Sequence, residues 1–321
     1  MSLEDRGTLD ALEVRLKTIL PEQYQDCYEG VQPVSMGSAS LKYASDGKVA
    51  WNDIWQTFCD LAMAGGPPHK GILLEPGCRA DIDAQTDRYR EVAAEIRRGV
   101  TMVTGLTAEL SPMPGWVRVD CASYGMAGWL VRAIVMENVS ARCEGPMIEL
   151  PAGPDYRIEK EIKNVITVAA KTCHYWFEHM PQAQRRDIAN LFARMSVGSP
   201  LIQPALSGVD LRADKRRILG GKIAEAIRHA TGLFQSGHQY RGWLGIECAD
   251  VRAAIWIMRA MVASNILSRR EGTVLFVPLN PESDPNGETV ARSLVRIHGF
   301  AIARGFLRCP KLGPDFSSTA T

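Results

Sequence analysis

Residues 116–151, WVRVDCASYGMAGWLVRAIVMENVSARCEGPMIELP, align without a gap on residues 243–278, WLGIECADVRAAIWIMRAMVASNILSRREGTVLFVP, at a constant offset of 127. About a third of the positions are identical, where average composition gives roughly two matches by chance. The matches include Trp116/Trp243, Cys121/Cys248, Trp129/Trp256, Arg132/Arg259, Asn138/Asn265, Arg142/Arg269, Glu144/Glu271 and Pro151/Pro278. The register runs upstream through Thr104-Gly105-Leu106 and Thr231-Gly232-Leu233. ILLEP (72–76) faces PLIQP (200–204) after a one-residue gap. The chain therefore reads as two copies of one unit. Two copies are too few for a solenoid, and they pack naturally as a pseudo-two-fold pair. The expected organisation is an arm over 1–51, repeat unit 1 over 52–180, repeat unit 2 over 181–306 and a tail over 307–321.

Each unit alternates short apolar runs with long amphipathic stretches. In unit 1 the strand candidates are 71–75, 116–121 and 146–150, and the helix candidates are 83–103, 123–138 and 159–176. Ile162, Val165, Ile166, Ala169 and Cys173 set the i, i+3, i+4 stripe of the last helix. Unit 2 repeats the plan at 200–204, 211–231, 243–248, 250–268, 273–278 and 287–304. Strands separated by whole helices need crossover connections. The fold expected is α/β: two tandem pseudo-symmetric βαβαβα repeats with largely parallel strands and helices on both faces. The arm adds a helix and a hairpin, Ser38 to Tyr43 and Lys48 to Trp51, around the turn Ala44-Ser45-Asp46-Gly47.

Thirty-seven basic residues against 36 acidic ones leave a net charge of +1, which recruits neither nucleic acid nor anionic lipid. The basic run 212–217 reads as a solvated helix face. The opening segment carries acids and no apolar core, and Val251 to Leu267 is broken by Arg252, Arg259 and Asn265. A cytoplasmic location without membrane contact is expected. The eight cysteines include no CxxC pair and are expected reduced. His174 and His179, five apart, would lie on different helix faces, so no metal site and no cofactor are expected.

In parallel sheets, ligands bind outside the carboxyl ends of the strands. Those ends would present Asp120-Cys121-Ala122-Ser123, Glu247-Cys248-Ala249-Asp250, Pro151-Ala152-Gly153 and Pro278-Leu279-Asn280. Ser123 and Asp250 are favoured N-caps. A cysteine just before a helix meets the positive end of the macrodipole, which favours the thiolate. Cys121 and Cys248 are thus the candidate catalytic pair, with Asp120, Ser123, Glu247, Asp250, Gly153 and Asn280 as substrate-binding candidates. The same two cysteines also fit as packing residues kept by the duplication. Arg132 and Arg259, inside apolar stretches, are expected to pair with Glu144 and Glu271. His174, near an aromatic cluster, and the 65–71 loop with His69 and Lys70 are secondary candidates.

Two thiols related by a pseudo-dyad suit a racemase or epimerase, which needs an acid and a base on opposite faces of one carbon. The layout resembles the cofactor-independent aspartate/glutamate racemases, which place a cysteine after a strand in each half. Those enzymes follow their cysteines with Asn-Thr and Thr-His, where this chain has Ala-Ser and Ala-Asp. The resemblance implies a cofactor-free isomerase or lyase acting on a small molecule between the units. The alternative is a non-catalytic binding or scaffold subunit with a protein partner or a second copy of itself.

Overall fold

The computed structural model describes residues 3–28, 40–56, 71–198, 200–205 and 213–307. Residues 65–70 of the 65–71 loop, Arg212, the start of the hairpin at 38–39, Cys59 and the tail beyond 307 lie outside the described residues. Helix α1 (Leu3–Ile19) opens the chain and buries Leu9, Leu12, Leu16 and Ile19 at helical spacing. The hairpin is present in its described part: Tyr43 bridges Val49 antiparallel, and Gly47 takes φ +76° in the turn.

After the short helix α2 (Arg79–Ala84), the first unit runs α3 (Thr86–Thr104), β1 (Ala108–Leu110), β2 (Trp116–Asp120), α4 (Tyr124–Met136), β3 (Arg142–Glu144), β4 (Met147–Pro151) and α5 (Lys163–His174). Helix α6 (Gln182–Gly198) packs on α4 and leads to the second unit. That unit runs α7 (Ala213–Thr231), β5 (Gln235–Tyr240), β6 (Trp243–Glu247), α8 (Val251–Val262), β7 (Arg269–Glu271), β8 (Val274–Pro278) and α9 (Glu288–Ala303). The two sheets share one strand order, β1-β2-β4-β3 and β5-β6-β8-β7. Trp116 faces Pro151 and Asp120 faces Met147, as Trp243 faces Pro278 and Glu247 faces Val274. The repeat is therefore a repeat of register, at the same offset of 127 that the sequence carries.

The expected parallel sheets are not what forms. Every strand pair within the two sheets is antiparallel. Helix α4 does cross over from β2 to a strand of the same direction, but that strand is the three-residue β3. The hairpin turn at Gly145 (φ +62°) folds β4 back between them. Gly272 (φ +56°) makes the same turn in unit 2. The strands expected at 71–75 and 200–204 reduce to two isolated parallel bridges, Leu74 to Val139 and Ile202 to Ile266.

Helices α4 and α8 sit at the centre, buried almost all round, as sequences apolar on nearly every face require. Asn138 and Asn265 follow them with φ +61° and +64°, the left-handed conformation asparagine tolerates at a helix end. These repeated asparagines also tie the units together. Arg132 Nη2 donates to Asn265 Oδ1 at 2.6 Å, and Arg269 Nη1 donates to Asn138 Oδ1 at 3.0 Å. Asn138 Nδ2 donates to the backbone of Gly71 and of Arg270. Linker residues reinforce the junction: Leu73 N donates to Glu271, and Gln203 exchanges two bonds with the backbone of Cys143.

The expected Arg132–Glu144 and Arg259–Glu271 pairs do not form. Glu144 is exposed, and Glu271 is taken by Arg269 at 2.7 Å. Arg132 binds Gly128 O and Asn265 beneath the Phe192 ring, whereas Arg259 donates to the carbonyls of Tyr24 and Cys27 in the arm. One repeated arginine locks the units together and its mate clamps the arm.

Candidate functional site

Antiparallel strands separate the residues that a parallel sheet would have gathered. Asp120 ends β2 and Cys121 and Ser123 follow it, while Gly153 follows β4, whose last residue pairs with the first of β2. The two groups stand at opposite ends of the sheet, about 13 Å apart for a five-residue strand. The same holds for Glu247, Cys248 and Asp250 against Asn280.

Each of these residues has a local task. Ser123 accepts from Met126 N at 3.2 Å and Asp250 from Ala253 N at 2.8 Å, capping α4 and α8 as expected. Asp120 accepts from Ala122 N at 3.1 Å and steadies a residue held at φ +55°. Glu247 is an exposed strand end. Gly153 is buried against Gly77, where a Cβ would meet Asp155 and Tyr156. Asn280 accepts from Glu282 N and Ser283 N and donates to Gln203 O, closing its loop.

Cys121 is fully buried and Cys248 is 8% exposed. Burial pushes both thiols up to about 12, with a further upward contribution from the adjoining carboxylates Asp120 and Glu247. The lowering expected from the helix ends is outweighed, because the thiols lie in the core rather than in water. Cys121 neighbours Cys143 and Cys173 within its own unit, and neither repeated thiol lines the cavity between the units.

That cavity, about 120 Å³, lies where the arm, both central helices and the end of α5 meet. Its size far exceeds the roughly 10–15 Å³ that admits one water. Leu20, Pro21, Tyr24 and Cys27 close it from the arm, anchored by Trp129 Nε1 donating to Ile19 O at 2.8 Å. Trp129, Ala133 and Met136 come from α4, and Ile255 and Met258 from α8. The polar groups converge on one side. Lys171, 2% exposed, holds its Nζ 3.7 Å from Glu137 Oε1. The hydroxyls of Tyr24 and Tyr175 share a hydrogen bond of 2.8 Å across 151 residues of sequence. Arg259 and Arg270 complete the wall.

Burial lowers Lys171 from the ordinary lysine value while Glu137 raises it, and burial raises Tyr24 above the usual phenol. Three of these groups have no like residue in unit 2: at the offset of 127, Glu137, Lys171 and Tyr175 become Ser264, His298 and Ile302. Arg259 and His174 stood out in the sequence, whereas Lys171, Glu137 and Tyr24 did not. A lysine inside the buried stripe of α5 was the available signal.

His174 lies just beyond this wall. The turn Tyr175–His179 is π-helical, so residues five apart come together, and the His174 and His179 rings stand 5.0 Å apart rather than on different faces. Among the described residues, no three His, Cys, Asp or Glu group as metal ligands, and no helix is long and apolar enough to cross a membrane. No family model, no curated protein and no solved structure matches this chain.

Proposed function

We propose that this protein is a binding module that holds a small molecule in the cavity between the arm and the two central helices, with Cys121 and Cys248 serving its core. The observation that carries this reading is Lys171, 2% exposed and paired with Glu137 on the wall of a cavity whose body is lined by Trp129, Met136, Ile255 and Met258. A buried ion pair adds little net stability, and well-packed apolar residues would fill the space at least as well. Convergent polar groups in an apolar concavity are what a small-molecule site requires. The loss of the same groups from unit 2 fits one ligand per chain, with the duplication supplying the second wall.

The test is ligand-observed NMR with a set of charged and uncharged fragments on the native protein and on Ala133→Phe, which fills the cavity from α4. Saturable binding at one site per chain, lost in Ala133→Phe while the unfolding midpoint is retained, is expected. Absence of saturable binding, or binding untouched by the substitution, would overturn the reading.

A further inference from the structure

Arg259 and Arg270 stand on the same cavity wall, and Arg259 is depressed by burial first and, among smaller influences, by the Arg270 charge. Arg270 is depressed by burial alone. Among the described residues neither forms an ion pair. Arg259 spends Nη1 on the carbonyls of Tyr24 and Cys27, and Arg270 spends Nη1 on Gly272 O. The Nε of Arg270 is buried with no hydrogen-bond partner. Two guanidiniums drawn partly out of water, near each other and without a carboxylate, leave a local excess of positive charge that the Lys171–Glu137 pair, neutral as a unit, does not cancel.

We infer that the ligand of this cavity is an organic carboxylate with a compact apolar body, its carboxylate held by Arg259 and Arg270 and its body against Met136, Ile255, Met258 and Trp129. The guanidinium fork matches a carboxylate in plane and in spacing, which an ammonium would not. Met136 and Met258 give the body an adaptable, polarisable surface. The arm shields the charge contacts from part of the solvent and so strengthens them. This assignment rests on the binding reading above and adds the sign of the ligand's charge.

Three probes of one shape separate the two claims: benzoate, benzamide and benzylamine, titrated at millimolar concentrations by ligand-observed NMR. Benzoate is expected to bind at least tenfold tighter than benzamide, with benzylamine weakest. In Arg270→Gln, benzoate should lose most of that advantage over benzamide. Equal affinity for benzoate and benzamide, on the native protein alone, would overturn the carboxylate assignment and leave the binding reading standing. Failure of all three to bind would overturn both. Displacement of benzoate by inorganic phosphate at equal concentration would contradict the apolar half of the assignment.

Discussion

Arg132 of the first repeat donates from Nη2 to Asn265 Oδ1 of the second at 2.6 Å, and both residues are buried. Asn265 holds a left-handed φ of +64°, so glycine replaces it without backbone strain and removes only the amide. Loss of a hydrogen bond to a buried charge costs about 1.5–3 kcal/mol. Asn265→Gly is expected to lower stability by that amount in urea denaturation, and Asn138→Gly, which removes the bond from Arg269 and two bonds to the carbonyls of Gly71 and Arg270, by at least as much. A loss below about 0.5 kcal/mol, the range of neutral surface changes, would mean that these bonds do not hold the units together.

The repeated thiols are expected to be slow to alkylate. With burial holding both near 12, neither carries appreciable thiolate at neutral pH. Iodoacetamide at pH 7.5 should label Cys121 and Cys248 only on unfolding, as read by peptide mass mapping. Rapid native labelling of both would return them to the role of catalytic pair.

The same burial sets an alkaline limit on stability. The folded-state value, about 12, lies above the ordinary thiol at 9.0, so the folded protein keeps a proton that the unfolded chain loses. The contribution is full below pH 9 and is lost as pH rises toward 12. Between those limits, Cys248→Ala should flatten the fall of stability by as much as about one proton. An unchanged slope would count against a buried thiol at this position.

Gly125 on α4 lies where a Cβ would approach Ala189 of α6 to 2.7 Å from its Cβ and 3.0 Å from its Cα. Helix propensity favours alanine by about 1 kcal/mol. Overpacking against a stiff backbone costs about 1–3 kcal/mol, and here it should win. Gly125→Ala is expected to lower the thermal midpoint; a rise would mean that α6 yields.

The duplication was legible because the residues that build the junction are the ones repeated. Asn138 and Asn265 end helices and cross between units, and Trp116 and Trp243 begin matching strands. Strand direction was not legible. Strands β1 and β3, Ala-Glu-Leu and Arg-Cys-Glu, are three residues long and lack the alternation that marks a strand, so the hairpin from β3 to β4 was invisible. Without it, β4 looked like the end of a crossover. Cys121 and Cys248 stood out for recurring, yet recurrence does not separate a reactive thiol from a buried one. The cavity escaped for another reason: Tyr24, Glu137, Lys171 and Arg259 come from four segments that only the tertiary fold brings together.

Cys27 is a free, half-buried thiol on the cavity wall, and Cys78 is a free, half-buried thiol elsewhere, making it an internal control. The most direct measurement is the iodoacetamide labelling rate of both, by peptide mass mapping, with and without the tightest-binding fragment. A ligand in this cavity predicts that Cys27 slows at least tenfold while Cys78 keeps its rate. Equal labelling of Cys27 in the free and saturated protein would contradict a binding site between the arm and the two central helices.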